Sequence, residues 1–248
     1  MNYPRLGFFL LAACMPTIAS ATTVSPVILD VATSGRGVAQ NVSVTNTGAA
    51  PLPVELTVTA LHATATGFVA SKASTDDLLV APPTALIPPG QTQTFRVQWI
   101  GDPDMASSKH YYVSVNQLPV KLPEGQSAVQ VVYNFQVLVS ASSPTRKAQL
   151  AISAVAPAAP VEGKPAASIT VENKGAAHGY VSQHKLKITE TNAAGATVWS
   201  RTMTGGEFQQ LVGYGLIASG QTRTMVVPLD GAVKDGKYSA ILLDDRGQ

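Results

Sequence analysis

Side chains able to do chemistry are few in this chain, and their spacing does not favour it. There are four histidines among 248 residues. His178 and His184 lie an even number of positions apart and would share one strand face, but six residues of extended chain separate them by ~20 Å, too far to ligate one metal. They read as exposed or partly buried polar side chains. The carboxylate pairs Asp76-Asp77 and Asp244-Asp245 are neighbours in sequence only; a strand would aim the two members at opposite faces, which argues against a general acid and base acting together. No GxxxxGK, GxSxG or HExxH pattern occurs, and most glycines stand singly at turns instead of clustering between a strand and a helix. A net charge of +2 from scattered Lys and Arg leaves no basic stripe for nucleic acid or an anionic membrane surface. The expectation is a non-enzyme with no catalytic residues, no cofactor, no metal, no small-molecule substrate and no nucleic-acid partner.

The elements that would position any site are strands. With 45% apolar and only 13% charged residues, the chain has a core and folds. Short β-branched runs separated by Gly or Pro favour an all-β sandwich, and no amphipathic helix of useful length is evident. Val42 to Thr45 and Val54 to Val58 alternate around the turn Asn46-Thr47-Gly48. Two proline pairs, Pro82-Pro83 and Pro88-Pro89, confine the backbone to edge or loop conformations before a strand resumes from Gln91 to Trp99. Tyr111 to Leu118 is another alternating strand, ended by Pro119. This makes about seven strands between Val24 and Ala141, the complement of an immunoglobulin-like sandwich. Trp99 and Trp199 sit in strand-like contexts where core packing explains them better than a sugar-binding surface does.

The longest uninterrupted pattern is Val129 to Pro144, more than ten alternating positions without a charge. Val129, Val131, Tyr133, Phe135, Val137 and Val139 fall on one face at the two-residue strand period; Gln130, Asn134, Gln136 and Ser140 share the other with Val132 and Leu138. Two explanations stand open. The odd row could line the sandwich's own core, or it could be lent to another protein as an apolar row. A one-residue slip or a bulge near Val137 would exchange the faces.

A second domain follows from an internal repeat. Leu86 to Thr94 recurs as Leu216 to Thr224, and Asn46 to Ala50 recurs as Asn173 to Ala177, in the same order and at nearly constant spacing, as expected of a duplicated sandwich. The boundary falls at Ser142-Ser143-Pro144. Residues 1–21 read as a signal peptide: Arg5 precedes an apolar run from Leu6 to Met15, and Ala19-Ser20-Ala21 supplies a cleavage site that would leave Thr22 first. A competing reading makes Leu11-Ala12-Ala13-Cys14 a lipoprotein box with Cys14 lipidated. Cys14 is the only cysteine, so under the first reading the mature chain has no disulfide and depends on burial for stability. The expected organisation is therefore a signal peptide (1–21), an N-terminal sandwich (22–142) and a C-terminal sandwich (143–248).

Taken in order, Ser25-Pro26 with its following strand, Val42 to Gly48, Pro82-Pro83 and Pro88-Pro89-Gly90-Gln91 running into Phe95-Arg96-Val97, Tyr111 to Pro119, and the long uncharged strand before the domain break resemble the periplasmic chaperones of the chaperone–usher pilus pathway. The resemblance covers nearly the whole chain after residue 21. It implies two immunoglobulin-like β-sandwich domains in a boomerang arrangement, location in the periplasm and a part in fimbrium biogenesis and cell wall organization. It also implies pilus subunits and an outer-membrane usher as partners. The function it implies is donor-strand complementation, in which the long strand completes the sheet of a subunit that lacks its last strand. Burying four or five apolar side chains at about 1.5 to 3 kcal/mol each would give a gross term near ~10 kcal/mol, much of it offset by the costs of association. The free chain could also associate with itself through the same strand. One departure is evident: familiar members hold the subunit's C-terminal carboxylate with two basic residues, yet the long strand here carries neither Lys nor Arg, and Arg36 is only loosely placed. The sequence is more similar to a divergent, archaic-like branch, in which Arg96 would be the anchor. The rival reading, a structural two-domain pilus or surface subunit, requires an alternating N-terminal extension for which TTVSPVILDV is too short and proline-interrupted.

Overall fold

The computed structural model describes residues 22–64, 67–73, 75–119, 132–232 and 236–244. Its strands fall into two groups. The first comprises β1 (Thr22–Ser25), β2 (Ile28–Ala32), β3 (Ala39–Asn46), β4 (Leu52–Thr64), β5 (Gly67–Ala70), β6 (Leu78–Ala81), β7 (Thr84–Ile87), β8 (Thr92–Trp99), β9 (Lys109–Gln117) and β10 (Asn134–Ser142). They form one sheet in the order β1-β3-β8-β6 and a second in the order β2-β10-β9-β4-β5, with β7 also on β4. The second group comprises β11 (Leu150–Val161), β12 (Lys164–Asn173), β13 (Gly179–Tyr180), β14 (Lys185–Thr191), β15 (Thr197–Met203), a short helix α1 (Gly205–Leu211), β16 (Leu216–Ile217), β17 (Thr222–Pro228) and β18 (Lys237–Leu243). Its sheets run β11-β12-β17 and β15-β14-β18, with β13 and β16 paired separately. The molecule is thus two immunoglobulin-like sandwiches in sequence, each with its own core.

Each core follows from alternation. In β8, Phe95, Val97 and Trp99 are buried while Thr92, Thr94 and Arg96 are exposed. Val42 and Val44 of β3, Val113 and Val115 of β9 and Val137, Val139 and Ala141 of β10 meet them between the sheets. Each such valine, fully removed from water, contributes about 1.5 to 3 kcal/mol. Sequence reading placed about seven strands here where ten are present among the described residues. The excess comes from short edge strands such as β5, β6 and β7, whose four residues are too few to show a period. The proline pairs lie where edge chemistry requires, Pro82-Pro83 between β6 and β7 and Pro88-Pro89 directly after β7.

The sequence repeat corresponds to a repeated hydrogen-bonded corner. In the first sandwich, the buried Asn46 donates through Nδ2 to Ile87 O and Ala50 O, both at 2.8 Å, and accepts at Oδ1 from Gly48 N at 2.9 Å. Its backbone pairs with Gly90 N and Gln91 O. In the second, the buried Asn173 donates to Ala177 O (2.8 Å) and Ile217 O (3.1 Å), accepts from Gly175 N (2.9 Å), and pairs with Gly220 N and Gln221 O. Each corner needs a turn with a left-handed residue, supplied by Gly90 at φ +71 and Gly220 at φ +67. The repeat survives in sequence because an amide at that point satisfies three backbone groups that no apolar side chain could.

Helix α1 is the element the sequence reading missed. Two glycines open it and it spans seven residues, so neither propensity nor period reveals it, but Thr204 and Glu207 form a capping box that satisfies its first turn.

Candidate functional site

Two regions of the first sandwich are built to do more than hold the fold together: the start of β10 and the junction with the second sandwich. Strand β10 pairs along its length with β9, from Asn134 opposite Asn116 to Ala141 opposite Lys109. Its other edge pairs with β2 only from Leu138, opposite Ile28, to Ser142. Among the described residues, Asn134 to Val137 therefore have β9 on one side and no strand on the other. Short of a partner, those outward backbone groups are left to water, the condition that invites an added strand.

The odd row of the long strand changes character along this edge. Tyr133 is 47% exposed and its ring stacks on Phe135 at 6.1 Å and 24°. Phe135 is half-buried against the core, bordering a shallow hollow formed by Leu52, Val54 and Val115. Val137 and Val139 are wholly buried, at 0% exposure. The row faces the space between the sheets, and by Val137 that space is closed by the opposing strands. Toward Tyr133 it is open. Of the six residues placed in a donor row from sequence, the core takes Val137 and Val139, Tyr133 and Phe135 lie at the open end, and Val129 and Val131 lie outside the described residues. Val132, 48% exposed, and Leu118 enlarge the apolar surface at that end. The other face of the strand is tied by a polar ladder, Asn134 Nδ2 to Asn116 Oδ1 and Asn116 Nδ2 to Thr57 Oγ1 (3.0 Å), which fixes the register that periodicity left open.

Arg96 is exposed on the outer face of β8, in the sheet that does not contain β10, and its Nε donates to Gln98 Oε1 at 3.2 Å. Arg36 is exposed in the turn between β2 and β3. The structure does not bring either arginine together with the open end of β10.

The junction is a cluster that sequence reading did not find. Asp30, on β2, accepts from Tyr180 OH at 2.7 Å and pairs with His178 Nε2 at 3.1 Å. The backbone adds Ser108 N to Ala176 O at 2.9 Å. His110, buried on β9, shares a hydrogen bond between Nδ1 and Ser140 Oγ (2.9 Å) and meets the His178 ring edge-on at 5.5 Å. Burial raises the Asp30 carboxyl, but the hydrogen bonds from His178 and Tyr180 outweigh it and hold it below the usual carboxylate range. Burial, followed by the Asp30 charge, pushes the Tyr180 hydroxyl up. Beside this cluster, a cleft of about 440 Å³ extends between β4, β9 and the Ala218-Ser219 turn. Within it Asp77 accepts from Tyr111 OH (2.6 Å) and Lys109 Nζ (2.9 Å). Asp76 is exposed, so the two adjacent carboxylates are indeed separated. His184 pairs with Asp244 at 3.2 Å, far from His178's partners. Among the described residues, no group of three His, Cys, Asp or Glu is placed to hold a metal ion, and no helix is long and apolar enough to cross a membrane.

Residues 24–139 match the family described as pili and flagellar-assembly chaperone, PapD N-terminal domain. The first sandwich therefore carries the N-terminal domain of this chaperone family. Among curated proteins none matches the chain in sequence. Its fold is similar to that of the class 5 fimbriae chaperone CfaA, at 13% identity and a TM-score of 0.52, covering 90% of this chain and 99% of that one. It is also similar to a chain of the Salmonella enterica SafA pilin complex with the SafB chaperone, at 15% identity and a TM-score of 0.50, covering 93% of each chain. A third similar structure belongs to a chaperone–tip adhesin complex of CFA/I fimbriae, at 12% identity and a TM-score of 0.51, covering 90% of this chain and 99% of that one. At such identities these likenesses establish the fold alone, and the family match is confined to the first sandwich.

Proposed function

We propose that this protein is a periplasmic pilus-assembly chaperone, that it captures pilus subunits by lending them the start of β10, and that it delivers them to an outer-membrane usher. The observation that carries the reading is the open edge of Asn134 to Val137 combined with the exposed Tyr133 and half-buried Phe135. A subunit lacking a strand has an apolar groove and an unpaired edge; an added strand answers both, with backbone hydrogen bonds for the edge and alternate side chains for the groove. The proposed donor row is Val129, Val131, Tyr133 and Phe135. Val137 and Val139 anchor the strand in the chaperone's own core, which keeps the donor rigid and reduces the ordering cost of binding. Export depends on residues 1–21 as the signal peptide, with domains at 22–142 and 143–248. Arg96 is proposed to receive the subunit carboxylate on the resemblance alone.

The test is co-expression with a pilin-like protein from the same genome and purification of the complex. Tyr133→Ser with Phe135→Ser should abolish capture in a chaperone that still folds, whereas undiminished capture would reject the donor row. Arg96→Ala should reduce capture by about tenfold or more if a charge-assisted pair of about 1.5 to 3 kcal/mol is lost. An unchanged yield rejects that role without affecting the donor row.

A further inference from the structure

At the junction between the sandwiches two histidines each leave one ring nitrogen without a partner. His178 turns Nε2 to the Asp30 carboxylate, and its Nδ1 is buried and unpaired among the described residues. His110 uses Nδ1 with Ser140 Oγ, and its Nε2 is buried and likewise unpaired. The rings meet edge-on. The surrounding elements offer no uncommitted carboxylate to an added proton among the described residues. From β5, Phe68 lies 4.8 Å from the His110 ring; from β13, Tyr180 packs on His178 at 5.4 Å, with Tyr214 behind it. The Tyr180 hydroxyl is already committed to Asp30, and Lys109, next to His110 on β9, is committed to Asp77. His62 of β4 lines the adjoining cleft as another basic group. Asp30 is the one carboxylate facing the pair, and it already accepts from two donors.

We propose that this junction is an acid-released lock: protonation of the buried His110, edge-on to His178, parts the two sandwiches and widens the cleft between them. A proton on His110 in the closed junction would put a positive charge in a buried site whose facing carboxylate is already committed, whereas separation would expose the ring to water. Burial, followed by the charge on His178, pushes His110 down from an ordinary 6.5 to about 3. The sign follows directly. Above pH 6.5 neither state protonates His110 and the closed junction is fully favoured; between 6.5 and about 3 the open state binds a proton that the closed state refuses. Each pH unit in that window favours opening by up to ~10-fold. Asp30 acts in the same direction in stronger acid, since a carboxyl held low in the closed state loses its stabilising bonds once protonated.

The test uses the amide of Ser108, whose hydrogen bond to Ala176 O crosses the junction. Its hydrogen-exchange protection, measured by NMR on the intact mature protein, should fall up to ~100-fold from pH 6.5 to 4.5, by the tenfold-per-unit linkage. Val113, inside the first sandwich, should keep its protection, and His110→Gln, neutral at every pH, should abolish the fall at Ser108. Constant protection at Ser108, a fall shared with Val113, or a full-sized fall in His110→Gln would each overturn the proposal. Should His110→Gln fail to fold, small-angle scattering of the unaltered protein decides the matter: a radius of gyration that grows between pH 7.5 and 4.5 supports the lock, and one that does not change overturns it.

Discussion

Replacing Val137 and Tyr133 separately by serine tests how the long strand is divided between core and surface. Val137 is wholly buried. Its replacement forfeits about 1.5 to 3 kcal/mol of apolar burial, and the hydroxyl left in a dry site costs about 1 to 3 kcal/mol more if unpaired. The combined loss is roughly 2.5 to 6 kcal/mol, enough to lower the melting temperature of a sandwich of this size by on the order of ten degrees or more. Tyr133 sits four residues earlier on the same row but is half exposed. Tyr133→Ser should shift the melting temperature by only a few degrees, since the ring loses its stacking on Phe135 and little burial. The assay is thermal unfolding followed by circular dichroism, with subunit capture measured on the same preparations. The reasoning fails if Tyr133→Ser destabilises as much as Val137→Ser, or if Val137→Ser melts like the parent protein.

The repeated corner and the cleft carboxylate give two further expectations. Asn173→Ala leaves Ile217 O and Ala177 O without their amide donor, and at about 1 to 3 kcal/mol per buried unsatisfied group it should unfold the second sandwich well below the parent in urea titration. Asn46→Ala should do the same to the first. Burial raises the Asp77 carboxyl, but bonds from Tyr111 and Lys109 outweigh it and hold it below its ordinary 3.8. The stability it contributes is therefore complete above that value and is lost as pH falls through the lower folded one. Asp77→Asn should flatten the acid limb of the stability curve below about pH 4; an acid limb identical to the parent's would refute the role.

Much of the architecture was legible because it is periodic or punctuated. Alternation in Val42 to Thr45, Gln91 to Trp99 and Tyr111 to Leu118 placed three core strands, and the proline pairs marked the edges between them. The repeat of Asn46 and Gly90 as Asn173 and Gly220 was visible as letters, although only coordinates connect each asparagine to its turn. The long strand was harder. Its odd row has a single period from end to end, but what covers a row is decided by the opposing sheet, which meets Val137 and Val139 and leaves Tyr133 in water. Strand β10 as described begins at Asn134. The junction was not legible, since Asp30 and His178 are 148 residues apart and neither belongs to a pattern. In sequence a histidine near no other ligand looks like a surface residue, and only folding shows that His110 and His178 meet.

The central claim, the proposal that the start of β10 is an unoccupied edge awaiting a subunit's strand, is tested most directly by amide hydrogen exchange across Tyr133 to Val137 in the free protein and in its complex with a pilin subunit. The amides in this stretch that point away from β9 should exchange freely in the free protein and become protected in the complex, while amides shared with β9 should keep the same protection in both. A stable complex in which those outward amides still exchange freely would contradict the account.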